Sequence, residues 1–122
     1  MGKIADIFRD SGDRDRSVFV PYITAGFPDF RQCEETVLAF ERSGGDLIEF
    51  GIPFSDPVAD GPTIQRSSQV ALEKGMNVSR ALEMIRNIRT KSQIGVNIMT
   101  YYNPLIAYGL ERFAADAADA EA

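Results

Sequence analysis

Hydrophobic and polar positions follow two alternating patterns along the chain. Three short, mostly apolar runs, at about residues 18–24, 46–51 and 94–100, are typical of strands in a parallel sheet. Between and after them lie segments whose apolar residues recur every three or four positions, as in amphipathic helices. The alternation predicts three parallel βα units, although Pro21 lacks a backbone donor and fits poorly in the middle of the first strand.

Residues with turn and capping preferences mark the ends of the predicted helices. Asp29 is placed to cap a first helix, which a Gly-Gly pair ends. A second helix over about residues 63–74 stops at Gly75, and Asn77 is placed to cap a third. The apolar positions are Phe30, Cys33, Val37 and Phe40 in the first helix, Val78, Leu82, Ile85 and Ile88 in the third, and Leu110, Phe113, Ala114 and Ala117 in a final helix.

Length and composition indicate one globular domain over residues 1–122. The chain has 44% hydrophobic residues, enough for a core, and a formal net charge of -5. Proteins that hold phosphate backbones carry a basic surface, so nucleic acid is not expected as a partner. No apolar stretch reaches about 18 residues and the amino terminus is polar, so we expect no membrane span and a cytoplasmic location.

The chain contains no histidine and one cysteine. The lack of histidine excludes a Ser-His-Asp triad, a Cys-His pair and a histidine-based zinc site within this chain, which leaves acid-base chemistry to carboxylates, tyrosine or lysine. Cys33 has no partner for an intrachain disulfide, which suits a reducing compartment. Its helical position predicts a small apolar packing residue.

Glu49 interrupts the second strand, where a parallel sheet normally carries apolar residues on both faces. Side chains alternate along a strand, so Leu47, Glu49 and Gly51 share one face while Ile48 and Phe50 share the other. The large apolar pair is expected on the helix side, which directs Glu49 into a barrel, where a carboxylate near the carboxyl end of a strand is a candidate catalytic group. The alternative is a buried glutamate paired with an arginine or lysine, since an unpaired one is costly.

The loop after this strand, IPFSDPVADGP, is long and rich in proline, aspartate and glycine. Its acids are Asp56 and Asp60, and long loops after barrel strands are frequent functional segments. Asp60 could instead cap the next helix, with Pro62 in the first turn, and the local pattern leaves both interpretations open. The spacing lacks an EF-hand or a phosphate-binding glycine pattern, so no metal is expected. We expect residues 53–61 to be mobile without a ligand or partner.

Three tyrosines, Tyr22, Tyr101 and Tyr102, lie at the ends of the first and third predicted strands, on the same rim as Glu49. Their aromatic faces could line a site for a flat apolar ligand or could pack in the core, and for each tyrosine alone the two interpretations are equally supported. Their shared rim favours the ligand site.

Four segments together carry a family resemblance. PYITAGFPD, DLIEFGIPFSDPVADGPTIQ, the pair Gly75 and Met76, and MTYYNPLIAYGLERF resemble, in order and spacing, the first three βα units of the tryptophan synthase alpha-subunit family. The resemblance covers nearly the whole chain, and GIPFSDPVADGPTIQ is a long and specific motif. It implies a (β/α)8, or TIM, barrel, seen here as about three βα units with a parallel sheet, and a lyase of tryptophan biosynthesis.

The resemblance implies retro-aldol cleavage of indole-3-glycerol phosphate to indole and glyceraldehyde 3-phosphate, with no cofactor in this subunit. Glu49 then matches the general acid-base residue, and Asp60 matches the residue that contacts the indole N–H and favours the tautomer that breaks. Tyr22 stands where the family is expected to carry phenylalanine. The positions that match the lining of the indole pocket are Tyr22, Ile64, Met99 and Tyr101.

The resemblance also implies a protein partner. In the family, indole passes to a beta subunit that uses pyridoxal phosphate and joins indole to serine, within an alpha2-beta2 complex. The positions that match the surface facing that partner are Pro53, Asp56, Asn103 and Pro104.

The length of the chain bears on two functional hypotheses. A barrel of this class takes roughly 250 residues and often holds substrate phosphate with the loops after its seventh and eighth strands, whereas three βα units are counted here. The first hypothesis is an alpha-type lyase sequence that carries the acid-base residues. The second is a noncatalytic fragment that folds, docks on a beta subunit or self-associates through open sheet edges. On either hypothesis, we expect the 122-residue chain alone to be inactive.

Overall fold

A computed structural model describes residues 2–122, in which six helices and three strands are found. In chain order, the elements are α1 (Lys3–Asp13), β1 (Tyr22–Thr24), α2 (Phe30–Arg42), β2 (Leu47–Gly51), α3 (Pro62–Glu73), α4 (Val78–Arg89), β3 (Gly95–Met99), α5 (Tyr102–Tyr108) and α6 (Leu110–Asp119).

The three strands of residues 2–122 form one parallel sheet in the order β1-β2-β3. Glu49 in the central strand pairs with Tyr22 on one side and with Asn97 on the other. Parallel strands have their carboxyl ends on the same rim, so the segments that follow β1, β2 and β3 meet there. The predicted parallel βα units are confirmed.

One face of the sheet packs against α2 and α4. Ile48 and Phe50 on β2 are fully buried, and Val96 lies beside Ile48 in the register with β3. They share a hydrophobic cluster with Val37 of α2 and Leu82 of α4. Burial of this apolar surface stabilises the fold, and it leaves the opposite face of β2 to Glu49.

The predicted caps of α2 and α4 are present. The Asp29 carboxylate accepts a hydrogen bond from the backbone N–H of Gln32 at 2.8 Å, and the Asn77 side chain accepts one from Arg80 at 2.9 Å. Gly75, with a φ of +92°, follows the end of α3, and a glycine of positive φ likewise follows α2. These positions favour glycine because other residues rarely adopt that backbone conformation.

Asp60 does not cap α3, so that alternative is wrong. The N-cap is Gly61, which has no side chain to accept a capping bond, and Pro62 begins the helix as expected. The backbone carbonyl of Asp60, rather than its carboxylate, accepts a hydrogen bond from Gln65 Nε2 at 2.7 Å. Within residues 2–122, no hydrogen bond or ion pair engages the Asp60 carboxylate.

Asp29→Ala is expected to lower the free energy of unfolding by about 1 kcal/mol, because it removes the acceptor that satisfies the first turn of α2. Asp60→Ala is the matched control and should change this free energy by less than about 0.5 kcal/mol, because it removes no capping bond. Urea denaturation of both variants measures the difference. Equal losses at the two positions would contradict the assigned caps.

The first strand is shorter than predicted. The sequence predicts a strand at about residues 18–24 in which Pro21 fits poorly, and β1 begins only after this proline, at Tyr22. Pro21 contributes only its carbonyl, which accepts a hydrogen bond from the Glu49 N–H at 2.9 Å, and proline has no N–H with which to continue the ladder. Phe19 is 70% exposed and lies against Phe40, with 5.9 Å between the ring centroids.

The predicted final helix is two helices. Gly109, with a φ of +104°, separates α5 from α6. Phe113 and Ala117 pack against the core as expected, but Leu110 and Ala114 are exposed, so the predicted apolar face is only half correct. The break at the glycine rotates α6 relative to α5, which a single helical period does not describe.

The hydrophobic pattern alone does not predict α1, which is rich in charged residues. The helix contacts β3, and a side chain added at Gly95 would collide with Ile7 and Leu47. Ile7 therefore packs against the sheet at Gly95 and Leu47, whereas Phe8 of the same helix is 52% exposed. No helix in residues 2–122 is both long and apolar enough to cross a membrane.

Candidate active site

A cavity of about 290 Å³ opens at the rim formed by the carboxyl ends of the strands. Four of the residues predicted to form the site line it together, from three different βα segments. Its full lining is Tyr22, Ile52, Ala59, Asp60, Met99, Thr100 and Tyr101. The volume is at the lower end of the range for small-molecule sites, about 300–1,000 Å³, and the lining is mostly apolar with one carboxylate and two phenols.

Glu49 lies in the middle of the sheet on the face opposite α2 and α4. It is half-buried, whereas Ile48 and Phe50 on either side of it are fully buried in the core. Within residues 2–122, no salt bridge or hydrogen bond engages its carboxylate, so the alternative of a structural ion pair with arginine or lysine is wrong. Glu49 is absent from the lining of the cavity, although Tyr22, its neighbour across the strands, is part of it.

Tyr22 connects the sheet to the cavity. Its ring covers Gly51, where an added Cβ would stand 1.9 Å from the phenol oxygen, so the glycine leaves the space that the ring fills. Burial is the main reason that the pKa of Tyr22 is raised, and the negative charges of Asp60 and Glu49 act in the same direction. The phenol therefore stays protonated at neutral pH, and both carboxylates act on it electrostatically.

The segment 53–61, here called the Asp60 loop, carries Asp60 into the cavity. The backbone N–H of Ala59 donates to the Tyr101 hydroxyl at 2.9 Å. Gln65 of α3 donates to the carbonyl of Asp60. These bonds hold the backbone of the loop and leave the carboxylate of Asp60 available to a ligand.

The family model described as tryptophan synthase alpha chain matches residues 8–122. The chain belongs to this family. It is 49% identical over 120 residues to the tryptophan synthase alpha chain of Citrifermentans bemidjiense and 47% identical over 120 residues to that of Geobacter sulfurreducens. Each match covers 98% of this chain but only 45% and 46% of the respective relative, so the chain spans about half the length of these family members.

Solved structures of the family have the same fold. Tryptophan synthase subunit alpha of Legionella pneumophila superposes with a TM-score of 0.97 at 36% identity, over all of this chain and 47% of that chain. The tryptophan synthase complex of Pyrococcus furiosus gives a TM-score of 0.79 at 39% identity, over 85% of this chain and 43% of that chain. The predicted membership in the (β/α)8-barrel family is confirmed, and residues 2–122 provide three of its βα units.

Besides Glu49, two residues predicted for the site lie outside the cavity of this family member. Ile64 is half-buried on α3, and Tyr102 at the start of α5 is 62% exposed. Sequence reasoning did not single out Ile52, Ala59 or Thr100, which do line the cavity. Two of them could have been found from their position in the sequence, because Ile52 and Thr100 are the first residues after β2 and β3.

A larger groove of about 680 Å³ lies beside the cavity, between the Asp60 loop, the start of α4 and α5. Three of the four residues predicted to face a partner line it: Pro53, Asn103 and Pro104. Asp56 does not, and its carboxylate accepts a hydrogen bond from Ser55 Oγ at 3.1 Å. Phe54 lines the groove and also contacts Tyr101, which lines the cavity.

Cys33 and the acidic residues form no further site in the described part of the chain. Cys33 is fully buried, as predicted, and accepts a hydrogen bond from the Gly26 N–H at 3.3 Å, while burial raises the pKa of its thiol. No group of three or more cysteine, aspartate and glutamate side chains in residues 2–122 is arranged to hold a metal ion.

Proposed function

We propose that this sequence belongs to a lyase that cleaves indole-3-glycerol phosphate to indole and glyceraldehyde 3-phosphate, by a retro-aldol reaction in tryptophan biosynthesis. The observation that carries the proposal is the cavity that Asp60 lines together with Tyr22 and Tyr101. Its apolar walls suit a flat aromatic ring, and its single carboxylate suits a ring N–H. Membership in the tryptophan synthase alpha chain family supports this substrate.

The reaction needs two proton transfers and one bond cleavage. The indole C3 takes a proton, which makes the ring electron-poor, and the hydroxyl on the side-chain carbon next to C3 loses a proton. As that oxygen forms a carbonyl, the bond between C3 and the side chain breaks, and its electron pair returns to the ring and restores the aromatic indole. We assign the proton transfers to Glu49, because its carboxylate projects from the barrel side of β2 and engages no other residue of 2–122.

Asp60 is assigned to the indole nitrogen. Protonation at C3 places positive charge on the ring nitrogen, and a carboxylate that accepts the N–H hydrogen bond stabilises that charge as it develops. The Asp60 carboxylate lines the cavity without an ion pair or hydrogen bond to residues 2–122, so a ligand does not need to displace a protein partner. Met99 and the tyrosines are assigned to the faces of the ring.

The proposal is tested in a chimeric barrel. Residues of this chain replace the matching 120-residue segment of the Citrifermentans bemidjiense relative, and indole release is measured. Asp60→Asn is expected to lower kcat/KM by about 10²- to 10³-fold, because an uncharged amide does not stabilise the electron-poor ring equally well. Its free energy of unfolding should change by less than about 0.5 kcal/mol, because no capping bond is lost.

The matched control for Asp60→Asn is Asp13→Asn, at the exposed end of α1. It makes the same chemical change far from the rim and should leave kcat/KM unchanged. A chimera that releases indole equally fast with asparagine at position 60 would remove this residue from the mechanism. A chimera that folds but never releases indole would remove the proposed reaction itself.

We also propose a beta subunit as the protein partner, with pyridoxal phosphate held by that subunit and no cofactor in this one. The groove lined by Pro53, Asn103 and Pro104 supports this surface, and it adjoins the cavity through Phe54 and Tyr101. The Pyrococcus furiosus neighbour is described as a tryptophan synthase complex. Because Asp56 lies outside the groove, we assign it to the rim of the interface.

A noncatalytic role is the second candidate, and the open sheet supports it. In residues 2–122, β1 and β3 each have one unpaired edge. Asn97 and Met99, on the same face of the sheet as Glu49, are exposed. Unpaired strand edges and exposed apolar side chains favour association, so the chain alone is proposed to self-associate or dock without turnover.

A further inference from the structure

Tyr101 contacts the Asp60 loop near both of its ends. Its ring lies against Phe54 at the start of the loop, with 5.3 Å between the ring centroids and 38° between the planes. Its hydroxyl accepts the hydrogen bond of the Ala59 N–H at 2.9 Å, one residue before Asp60. A residue that only lined the ligand cavity would need neither contact.

The backbone of Tyr101 directly follows the sheet. Tyr101 follows β3 by two residues and is the N-cap of α5, with extended backbone angles of φ -71° and ψ 159°. The last residue of β3, Met99, accepts a hydrogen bond from the N–H of Ile52 at 2.9 Å, which joins β3 to the segment where the loop begins. The phenol therefore connects the end of the sheet to the Asp60 loop.

The second anchor lies on the other side of Asp60. Gln65 of α3 donates from Nε2 to the carbonyl of Asp60 at 2.7 Å and to that of Pro57 at 3.4 Å. The backbone of Asp60 is thus held from β3 through Ala59 and from α3 through Gln65. Each bond fixes a peptide group next to the carboxylate that faces the cavity.

We propose that the Tyr101 hydroxyl is a positioning group, which holds the backbone at Ala59 so that the Asp60 carboxylate faces the ligand. The catalytic consequence of this role rests on the proposed function, whereas the bond itself does not. Phenylalanine at position 101 keeps the ring contact with Phe54 and removes only the acceptor for the Ala59 N–H. This one substitution therefore tests the role of the hydroxyl separately from the role of the ring.

Hydrogen exchange on the 122-residue chain, resolved by NMR, tests the bond without any enzyme assay. In Tyr101→Phe, the Ala59 amide is expected to exchange roughly three- to tenfold faster, which is the size of one lost hydrogen bond. The Ile52 amide is the internal reference, because a general loss of stability would accelerate it by the same factor. Tyr102→Phe is the matched control, since this neighbouring phenol is exposed and lies outside the cavity.

Equal exchange of the Ala59 amide in the original chain and Tyr101→Phe would overturn the proposal, as would equal acceleration of Ala59 and Ile52. If the 122-residue chain is too poorly folded for resolved amides, the same exchange measurement is made on the chimeric barrel with the same expected result. Faster exchange of Ala59 alone supports the proposal.

A double-substitution cycle in the chimeric barrel tests the link to Asp60. Tyr101→Phe is expected to lower kcat about tenfold with KM changed less than about twofold, because the ring that lines the cavity is retained. Added to Asp60→Asn, the same substitution should cause no further loss, since it acts through the carboxylate that is already gone. Independent, multiplicative losses would overturn the positioning role. If Asp60→Asn itself has no effect, the proposed function fails while the exchange result still decides the bond.

Discussion

In the chimeric barrel, Glu49→Gln is expected to lower indole release by about 10²- to 10⁴-fold, the usual contribution of a positioned acid-base group. Glutamine keeps the shape and polarity of the side chain but neither accepts nor returns a proton. The fold should be unaffected, because Glu49 has no ion pair or hydrogen bond within residues 2–122 and lies on the face opposite Ile48 and Phe50. The midpoint of urea denaturation should therefore stay within the range of ordinary surface substitutions.

Glu83→Gln is the matched control for this experiment. Glu83 is exposed on α4, on the helix side of the sheet, so the same chemical change there should leave indole release unchanged. Near-normal turnover of Glu49→Gln would assign the proton transfers to another group. The phenol of Tyr22 would then be the first candidate, since it is the cross-strand neighbour of Glu49 and lines the cavity.

The 122-residue chain by itself is expected to release indole at least about 10³-fold more slowly than the chimeric barrel, although it carries both Glu49 and Asp60. Barrels of this class often hold the substrate phosphate with loops after strands seven and eight, whereas residues 2–122 contain three strands. Binding energy from the phosphate orients the reacting part of such a substrate, so a chain without that site loses both affinity and alignment.

Purified chain, assayed for indole release beside the chimeric barrel, measures this difference. Light scattering on the same sample reports association through the unpaired edges of β1 and β3. We expect dimers or larger species. A monodisperse monomer that turns over substrate at a rate comparable to the chimeric barrel would contradict both expectations, and it would place the phosphate site within the three βα units of this chain.

Much of the fold was predictable because the relevant interactions are local. The caps at Asp29 and Asn77 each bond to a backbone N–H three residues ahead, and the glycine after α3 adopts a backbone conformation that other residues rarely take. The alternation of side chains along β2 likewise placed Ile48 and Phe50 in the core and Glu49 opposite them. Each of these predictions depends on residues a few positions apart.

The predictions that failed depend on interactions with distant parts of the chain. The apolar run 18–24 indicated a long strand, but the sheet pairs with it only from Tyr22 because Pro21 has no donor to offer. The charged helix α1 has too few apolar residues to stand out, and its position depends on the distant contact of Ile7 with β3 at Gly95. Aspartate is a residue type favoured at helix N-caps, but the N-cap of α3 is Gly61 rather than Asp60.

The predictions about the candidate site also separate into those that the sequence supports and those that depend on tertiary packing. The sequence by itself determined which carboxylates and phenols were available, and the order of strands and loops was enough to bring Glu49, Asp60 and Tyr22 to one rim. Only the tertiary structure decided that Ile64 stays outside the cavity and that the Tyr101 hydroxyl accepts the N–H of Ala59. That bond joins residues 42 positions apart, and its partners meet because the packing of the sheet and loops brings them within hydrogen-bonding distance.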